Sequence, residues 1–168
     1  MLGTSEPCAS ASNSSAQPTG YRGTTYTAAG SDTTRFLDTN ILLNSISRDR
    51  SEQHKRDVAV ELLNRSDNVI SVQVLQEFYV QATRASRTDA LPHDIAAGLV
   101  RTWLRFPVQD ITLAVMGVAL EIKAAAGLSY WDAAIIAAAQ AAGCREVLSE
   151  DMAHGRVIAG VLVTNPFR

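Results

Sequence analysis

The chain is poor in several features that would have pointed to particular protein classes. It has two cysteines, Cys8 and Cys144, too few for a disulfide scaffold or a cysteine-built zinc framework. That usage fits a reducing, cytoplasmic setting. Its three histidines, His54, His93 and His154, show no paired ligand spacing and read as surface residues. No apolar run approaches the ~20 residues that a membrane-spanning helix needs, so no membrane association is expected. The N-terminus lacks a basic region followed by an apolar stretch, which argues against a signal peptide. Neither sign of charge dominates: 15 Lys and Arg stand against 17 Asp and Glu, for a net charge of −2 and a pI of about 5.9. A global positive field that draws nucleic acid is therefore excluded. Local basic patches that hold phosphates are not. No internal repeat is evident.

What is present is enough apolar sequence for one real core, with 46% hydrophobic residues in 168. Residues 1–34 stand apart, being mostly Ser, Thr, Ala and Gly, with Leu2 the only large aliphatic residue. Such a segment buries too little apolar surface to offset its ordering entropy, and a disordered extension is expected there. The folded domain is expected over 35–168. Arg35-Phe36-Leu37-Asp38 reads as a buried strand ending in a carboxylate, and Asn40 as the start of a helix to about Ser47. From Ser51 onward Val58, Leu62 and Leu63 share a helix face. Strands are expected at 68–71, 108–111, 146–149 and 161–163. Further helices are expected over 72–86, from Pro92 to about Phe106, over 112–126 with a stop at Gly127, and over 130–142. Ser129 and Asp132 have the spacing of a capping box for that last helix. Strands alternating with helices predict an α/β fold with a mostly parallel central sheet, whose sites gather at the carboxyl ends of the strands.

Four carboxylates lie at edges of these elements: Asp38, Glu77, Asp132 and Asp151. Acids beside apolar segments are costly unless paired, hydrogen-bonded or bound to a cation. Their convergence would make an acidic pocket suited to Mg²⁺ or Mn²⁺, hard cations with oxygen ligands. A cation so held activates a water and stabilises charge on a phosphoryl oxygen, which points to hydrolysis of a phosphodiester. Thr39, Asn40 and Ser149 are polar neighbours able to orient the acids or bound water. Arg48, Arg50, Lys55, Arg56, Arg84 and Arg87 are available for a polyanionic substrate, although a solvated face is the commoner use of such residues. Tyr130 and Trp131 adjoin Asp132. They can stack on a base, but core or dimer contacts are the more frequent role of aromatics so placed.

Each acid also has a structural reading. Asp38 can cap a helix, and Asp132 can serve a capping box alone. Glu77 has polar neighbours in Gln73, Gln76 and Gln81, yet Val74 and Phe78 make one face of its helix apolar and favour the pocket. Glu150 competes with Asp151 for the last position, Asp110 reads as a turn residue, and Cys144 reads as a small buried hydrophobe.

Phe36-Leu37-Asp38-Thr39-Asn40 resembles the opening motif of PIN domains. Leu128 to Ile135 resembles the third acidic motif of the VapC-type toxins. Leu148-Ser149-Glu150-Asp151, followed by His154-Gly155 and Asn165-Pro166-Phe167, is similar to the C-terminal part of that group. The resemblance spans about 35–168. It implies an α/β/α sandwich and a Mg²⁺- or Mn²⁺-dependent endoribonuclease, the toxin of a type II toxin–antitoxin pair. It also implies a homodimer held in check by a cognate antitoxin. By position it assigns Asp38, Glu77, Asp132 and Asp151 to metal binding and catalysis, with Thr39, Asn40 and Ser149 in support. The 34-residue extension departs from the family pattern, in which the chain starts close to the first strand. Two other readings compete. A catalytically silent RNA- or protein-binding module has no need of four acids. A phosphatase with Asp38 as nucleophile normally carries a second acid two residues on, where this chain has Asn40.

Overall fold

The computed structural model describes residues 34–168; the rest of the expected N-terminal extension lies outside the described residues. In chain order the elements are β1 (Arg35–Leu37), α1 (Thr39–Ser45), α2 (Gln53–Leu63), β2 (Asn68–Ser71), α3 (Val72–Ala82), α4 (His93–Trp103), β3 (Val108–Gln109), α5 (Leu113–Ala126), α6 (Tyr130–Ala141), β4 (Glu146–Leu148), β5 (Val157–Ile158) and β6 (Val161–Thr164). A short 3₁₀ turn, Arg50–Glu52, leads into α2. The six strands form one sheet in the order β3-β2-β1-β4-β6-β5, parallel throughout except for the β5–β6 pair. Helix α1 packs on α2 and α3, and α3 on α4, while α5 and α6 pair and α6 lies against β2, β3, β4 and β6. This is the expected α/β/α sandwich.

The apolar patterning accounts for the core. Phe36, Leu37, Ile70, Val147 and Val163 are fully buried or nearly so on the central strands, between Ile41, Leu42, Val74 and Phe78 on the helices and the buried face of α6. In α6 the seven residues Ala133 to Ala139 are all buried. Small side chains let this helix approach the sheet closely, and alanine costs little to hold helical. Helix ends follow the local chemistry. Ser71, Thr112 and Ser129 each accept a backbone N–H from the first turn of the helix that follows. Gly127 closes α5 in the left-handed conformation, φ 68°, with its N–H donated to the Lys123 carbonyl.

Two expectations need correction, and one further strand is present. Helix α3 stops at Ala82 rather than Ser86, because Thr83 turns its hydroxyl back onto the Tyr79 carbonyl and the chain enters tight turns through Arg84 and Arg87. Strand β3 has two residues, not four. An unexpected two-residue strand, β5, pairs antiparallel with β6 through a turn at Ala159 (φ 50°) and Gly160 (φ 81°). Two strand residues are too few to leave a periodic signal, and alanine is an uncommon residue for a turn position with positive φ.

The central strands β1, β2 and β4 end at one edge of the molecule. There the Asp38 N–H donates to the Leu148 carbonyl at 3.0 Å, and the Ser149 N–H donates to Thr164 at 3.0 Å. These bonds carry the pairing one residue past β1 and β4, which brings Asp38 and Ser149 side by side.

Candidate active site

At that edge an open cleft of about 120 Å³ is lined by Asp38, Thr39, Asn40, Leu43, Glu77, Gln81, Trp131, Asp132, Ile135 and Asp151. All four expected acids are there, and none of the lining residues is basic. They arrive from four elements: the β1–α1 junction, the middle of α3, the first turn of α6 and the loop after β4. A wider hollow of about 450 Å³, along the outer face of α2, gathers Gln53, Arg56, Asp57, Val60, Glu61 and Asn64. It is built on a single helix and has no such convergence of like charge.

Asp38 is the most constrained acid. It caps α1, with Oδ1 accepting the Thr39 N–H at 2.6 Å and Oδ2 accepting from the Ser149 hydroxyl at 2.7 Å and the Asn40 amide at 3.0 Å. The residue is 8% exposed. Burial pushes its pKa up to about 6 against the opposing hydrogen bonds from Ser149 and Thr39, and the Glu77 and Asp151 charges push the same way. Asp38 is thus ionised at neutral pH only at a cost, which a bound cation would relieve.

Glu77 is gripped from both sides. The Thr39 hydroxyl donates to Oε2 at 2.8 Å and the Gln73 amide to Oε1 at 2.9 Å. Gln73 also donates to the Trp131 carbonyl at 3.4 Å, which links α3 to the first turn of α6. Asp132 sits in that turn, its N–H donated to the Ser129 hydroxyl at 3.1 Å. This is the backbone half of the expected capping box. Its carboxylate accepts no hydrogen bond from the described residues and is left to the cleft. Asp151 is exposed and is reached by the Asn40 amide at 3.4 Å. Asn40 accepts the Glu150 N–H at 3.2 Å, so this one side chain ties the β1–α1 junction to the loop after β4.

The donor set is all oxygen, and the charge in the cleft is uncompensated, which suits a hard divalent cation. Among the described residues no group of three or more His, Cys, Asp or Glu side chains is drawn together as a ready-made metal cage. The arrangement therefore fits an ion that keeps much of its water and takes one or two carboxylates, as Mg²⁺ commonly does.

Glu150 is absent from the cleft lining. It takes the Lys55 ammonium at 2.6 Å and the Asn44 amide at 2.8 Å. Partial burial raises its pKa, but the hydrogen bonds from Lys55 and Asn44 outweigh this and hold it below the usual carboxylate range. The basic residues expected to meet substrate are also outside the lining. Lys55 is engaged by Glu52 and Glu150, Arg87 pairs with Asp89, and Arg48, Arg50, Arg56 and Arg84 are exposed. The two aromatics divide. Tyr130 is half-buried against the core, whereas Trp131 is 62% exposed and is no core residue. Sequence reasoning missed Gln73, read as one of several polar helix residues but only 5% exposed. Its position one helical turn before Glu77 was the available signal. Of the histidines, His93 meets the Tyr79 hydroxyl and His154 accepts the Asn165 N–H, both at exposed positions. Cys144 is buried, and burial raises its thiol pKa.

Among known families, the PIN domain model matches residues 35–158, a segment that contains all four acids. The chain belongs to the PIN domain family. Several solved structures share the fold of this PIN domain. One is a toxin–antitoxin complex from Klebsiella pneumoniae, with 22% identity, a TM-score of 0.58, and 79% of this chain and 98% of that chain covered. Another is VapC20 of Mycobacterium tuberculosis, a sarcin–ricin loop cleaving toxin, with 18% identity, a TM-score of 0.56, and coverage of 70% and 92%. A third is DNA-bound VapBC from Salmonella typhimurium, with 20% identity, a TM-score of 0.58, and coverage of 80% and 99%. At these identities the likeness is one of fold. No curated protein matches the chain in sequence. Among the described residues no helix is long and apolar enough to cross a membrane.

Proposed function

We propose that this PIN domain is a metal-dependent endoribonuclease and the toxin of a toxin–antitoxin pair. The observation that carries the reading is the cleft itself. Four carboxylates from four separate elements line it without a basic residue, and the best-buried of them, Asp38, is held by three donors. A purely structural set of acids would be paired with cations, as Glu150 is with Lys55.

In this reading Asp38, Glu77, Asp132 and Asp151 are the metal-holding and catalytic residues, one or two bonding the ion directly and the others reaching it through its water. An ion held there, Mg²⁺ or Mn²⁺, would supply the activation of water at neutral pH and the offset of charge on a phosphoryl group. The chain's own groups provide orientation. Ser149, Thr39 and Asn40 fix both oxygens of Asp38, so little reorganises when charge is neutralised there. Thr39 and Gln73 fix both oxygens of Glu77. Asp132 and Asp151, with fewer hydrogen bonds, are the acids freest to adjust to an ion or its water.

The structural neighbours from Klebsiella and Salmonella are toxin–antitoxin complexes, which supports a cognate antitoxin as the protein partner of this chain. A homodimer and a cytoplasmic location complete the proposal. The test is cleavage of total RNA by the purified, antitoxin-free protein with Mg²⁺ or Mn²⁺, beside a chelator control and Asp38→Asn. Cleavage requiring both the metal and Asp38 is expected. Folded protein that cuts nothing with either metal would return the chain to a silent binding module.

A further inference from the structure

We propose that Trp131 is a substrate-binding residue that stacks on an unpaired nucleobase next to the phosphate held in the cleft. The inference rests on the nuclease reading and adds to it the residue that contacts the base beside the cut.

The first observation is size. The cleft is small, about 120 Å³, and is lined by all four acids. With an ion and a phosphoryl group among those acids, the attached nucleobase is placed at the rim. The second is what the rim offers. Apart from Trp131, the lining is carboxylates, small polar groups, Gln81, Leu43 and Ile135, none of which presents an aromatic face. Trp131 is 62% exposed, and it immediately precedes Asp132 in the first turn of α6.

The third observation is that the indole is mounted rather than loose. The Trp131 carbonyl accepts from buried Gln73, which also holds Glu77. The Tyr130 ring meets the indole edge-on, with centroids 5.3 Å apart and planes at 71°. An edge contact of this kind steadies the ring without covering it as a parallel stack would. A base is favoured over a protein side chain because this surface is continuous with the cleft that holds the backbone phosphate. Every base has a π-face, so the contact selects unstacked nucleotides without dictating sequence.

The molecule carries its own reporter. Its other tryptophan, Trp103, is 4% exposed and packs edge-on against Phe78 at 4.5 Å, so a ligand that changes tryptophan emission acts on Trp131. The experiment titrates the full-length protein, in Mg²⁺, with a dye-labelled single-stranded oligoribonucleotide whose phosphorothioate linkages resist hydrolysis. A strand of the same length carrying abasic riboses is the comparison. Dye anisotropy gives affinity and tryptophan emission gives stacking. Expected are quenching by the RNA but not by the abasic strand and an affinity loss of about tenfold or more for Trp131→Ala. Trp131→Phe should retain most of the affinity and lose the quenching. On a cleavable single-stranded substrate, Trp131→Ala should raise KM far more than it lowers kcat.

RNA binding that is unchanged in Trp131→Ala overturns the inference and leaves the nuclease reading standing. Unchanged binding together with a shift in oligomeric state on sedimentation identifies Trp131 as a protein contact instead. Wild-type protein that neither binds nor cleaves RNA overturns both.

Discussion

At the residue scale, Asp38 sets function against stability. Its folded pKa of about 6 lies above the ordinary value of 3.8, so the folded state binds a proton more tightly than the unfolded chain. The contribution of this group is fully present below about pH 4 and is lost as pH rises through about 6. A shift of about two units corresponds to roughly 3 kcal/mol. Metal-free Asp38→Asn should therefore be more stable than the parent near pH 7, by up to that amount, and should lack this component of the pH slope. Urea unfolding in chelator at about pH 4 and pH 7 measures both. The same variant should have no detectable nuclease activity. A parent that unfolds as easily as the variant at neutral pH would show that the hydrogen bonds to Asp38 already offset its burial.

Glu150 offers a second test at this scale. It precedes Asp151, and its bonds to Lys55 and Asn44 moor the loop after β4 to α1 and α2. Half-exposed ion pairs add little to stability, typically up to about 1 kcal/mol. Glu150→Ala should therefore unfold within about 1 kcal/mol of the parent while cleaving about tenfold more slowly, because Asp151 loses its mooring. Glu150→Gln, which can still accept from Asn44, should fall between the two. Equal cleavage rates for all three proteins would show that Asp151 needs no such support.

At the scale of elements, the β5–β6 hairpin carries local strain. Ala159 adopts φ 50°, a conformation that costs an L-residue with a β-carbon roughly 1–2 kcal/mol. Glycine has no such cost at this φ, although it brings more entropy to the unfolded chain. Ala159→Gly should stabilise the protein by up to about 1 kcal/mol, seen as a rise of about 2–4 °C in Tm. Its effect on cleavage should be nil, since the turn lies outside the cleft lining. A fall in Tm would show that the entropy term dominates. Helix α6 works the other way, as an element whose interior cannot vary. Its alanines are buried from Ala133 to Ala139, and Ala138→Leu should cost roughly 1–3 kcal/mol through overpacking. Because Asp132 stands in the same helix, cleavage should fall with it; thermal melts and cleavage assays on that variant test the coupling.

At the scale of the whole molecule, the cleft requires the sheet order. Asp38 and Ser149 meet only because β1 and β4 are neighbours, although 111 residues separate them in sequence. From its composition the segment 1–34 is expected to add nothing to the cleft. A chain lacking residues 1–34 should cleave RNA within about twofold of the full-length rate. A larger loss would place that segment in the function.

Much of this was determined by the sequence alone. Apolar runs such as Phe36-Leu37 and Val147-Leu148 had to become buried strands, Ser129 and Gly127 marked helix ends, and the resemblance picked out four acids by position. Those signals are local, and local chemistry is what periodicity and capping record. The tertiary structure decided the rest. Glu150 and Asp151 are adjacent acids between which only position in the resembling motif favoured Asp151, and the proximity of Lys55 and Asn44 is what draws Glu150 out of the cleft. Gln73 reads as a polar helix residue until Trp131 and Glu77 are seen to meet its amide. Tyr130 and Trp131 are neighbours on one helical turn, yet the core claims the first and the cleft rim presents the second. Each of these outcomes turns on which side chains from distant elements come within a few ångströms, and such contacts leave no trace in sequence spacing.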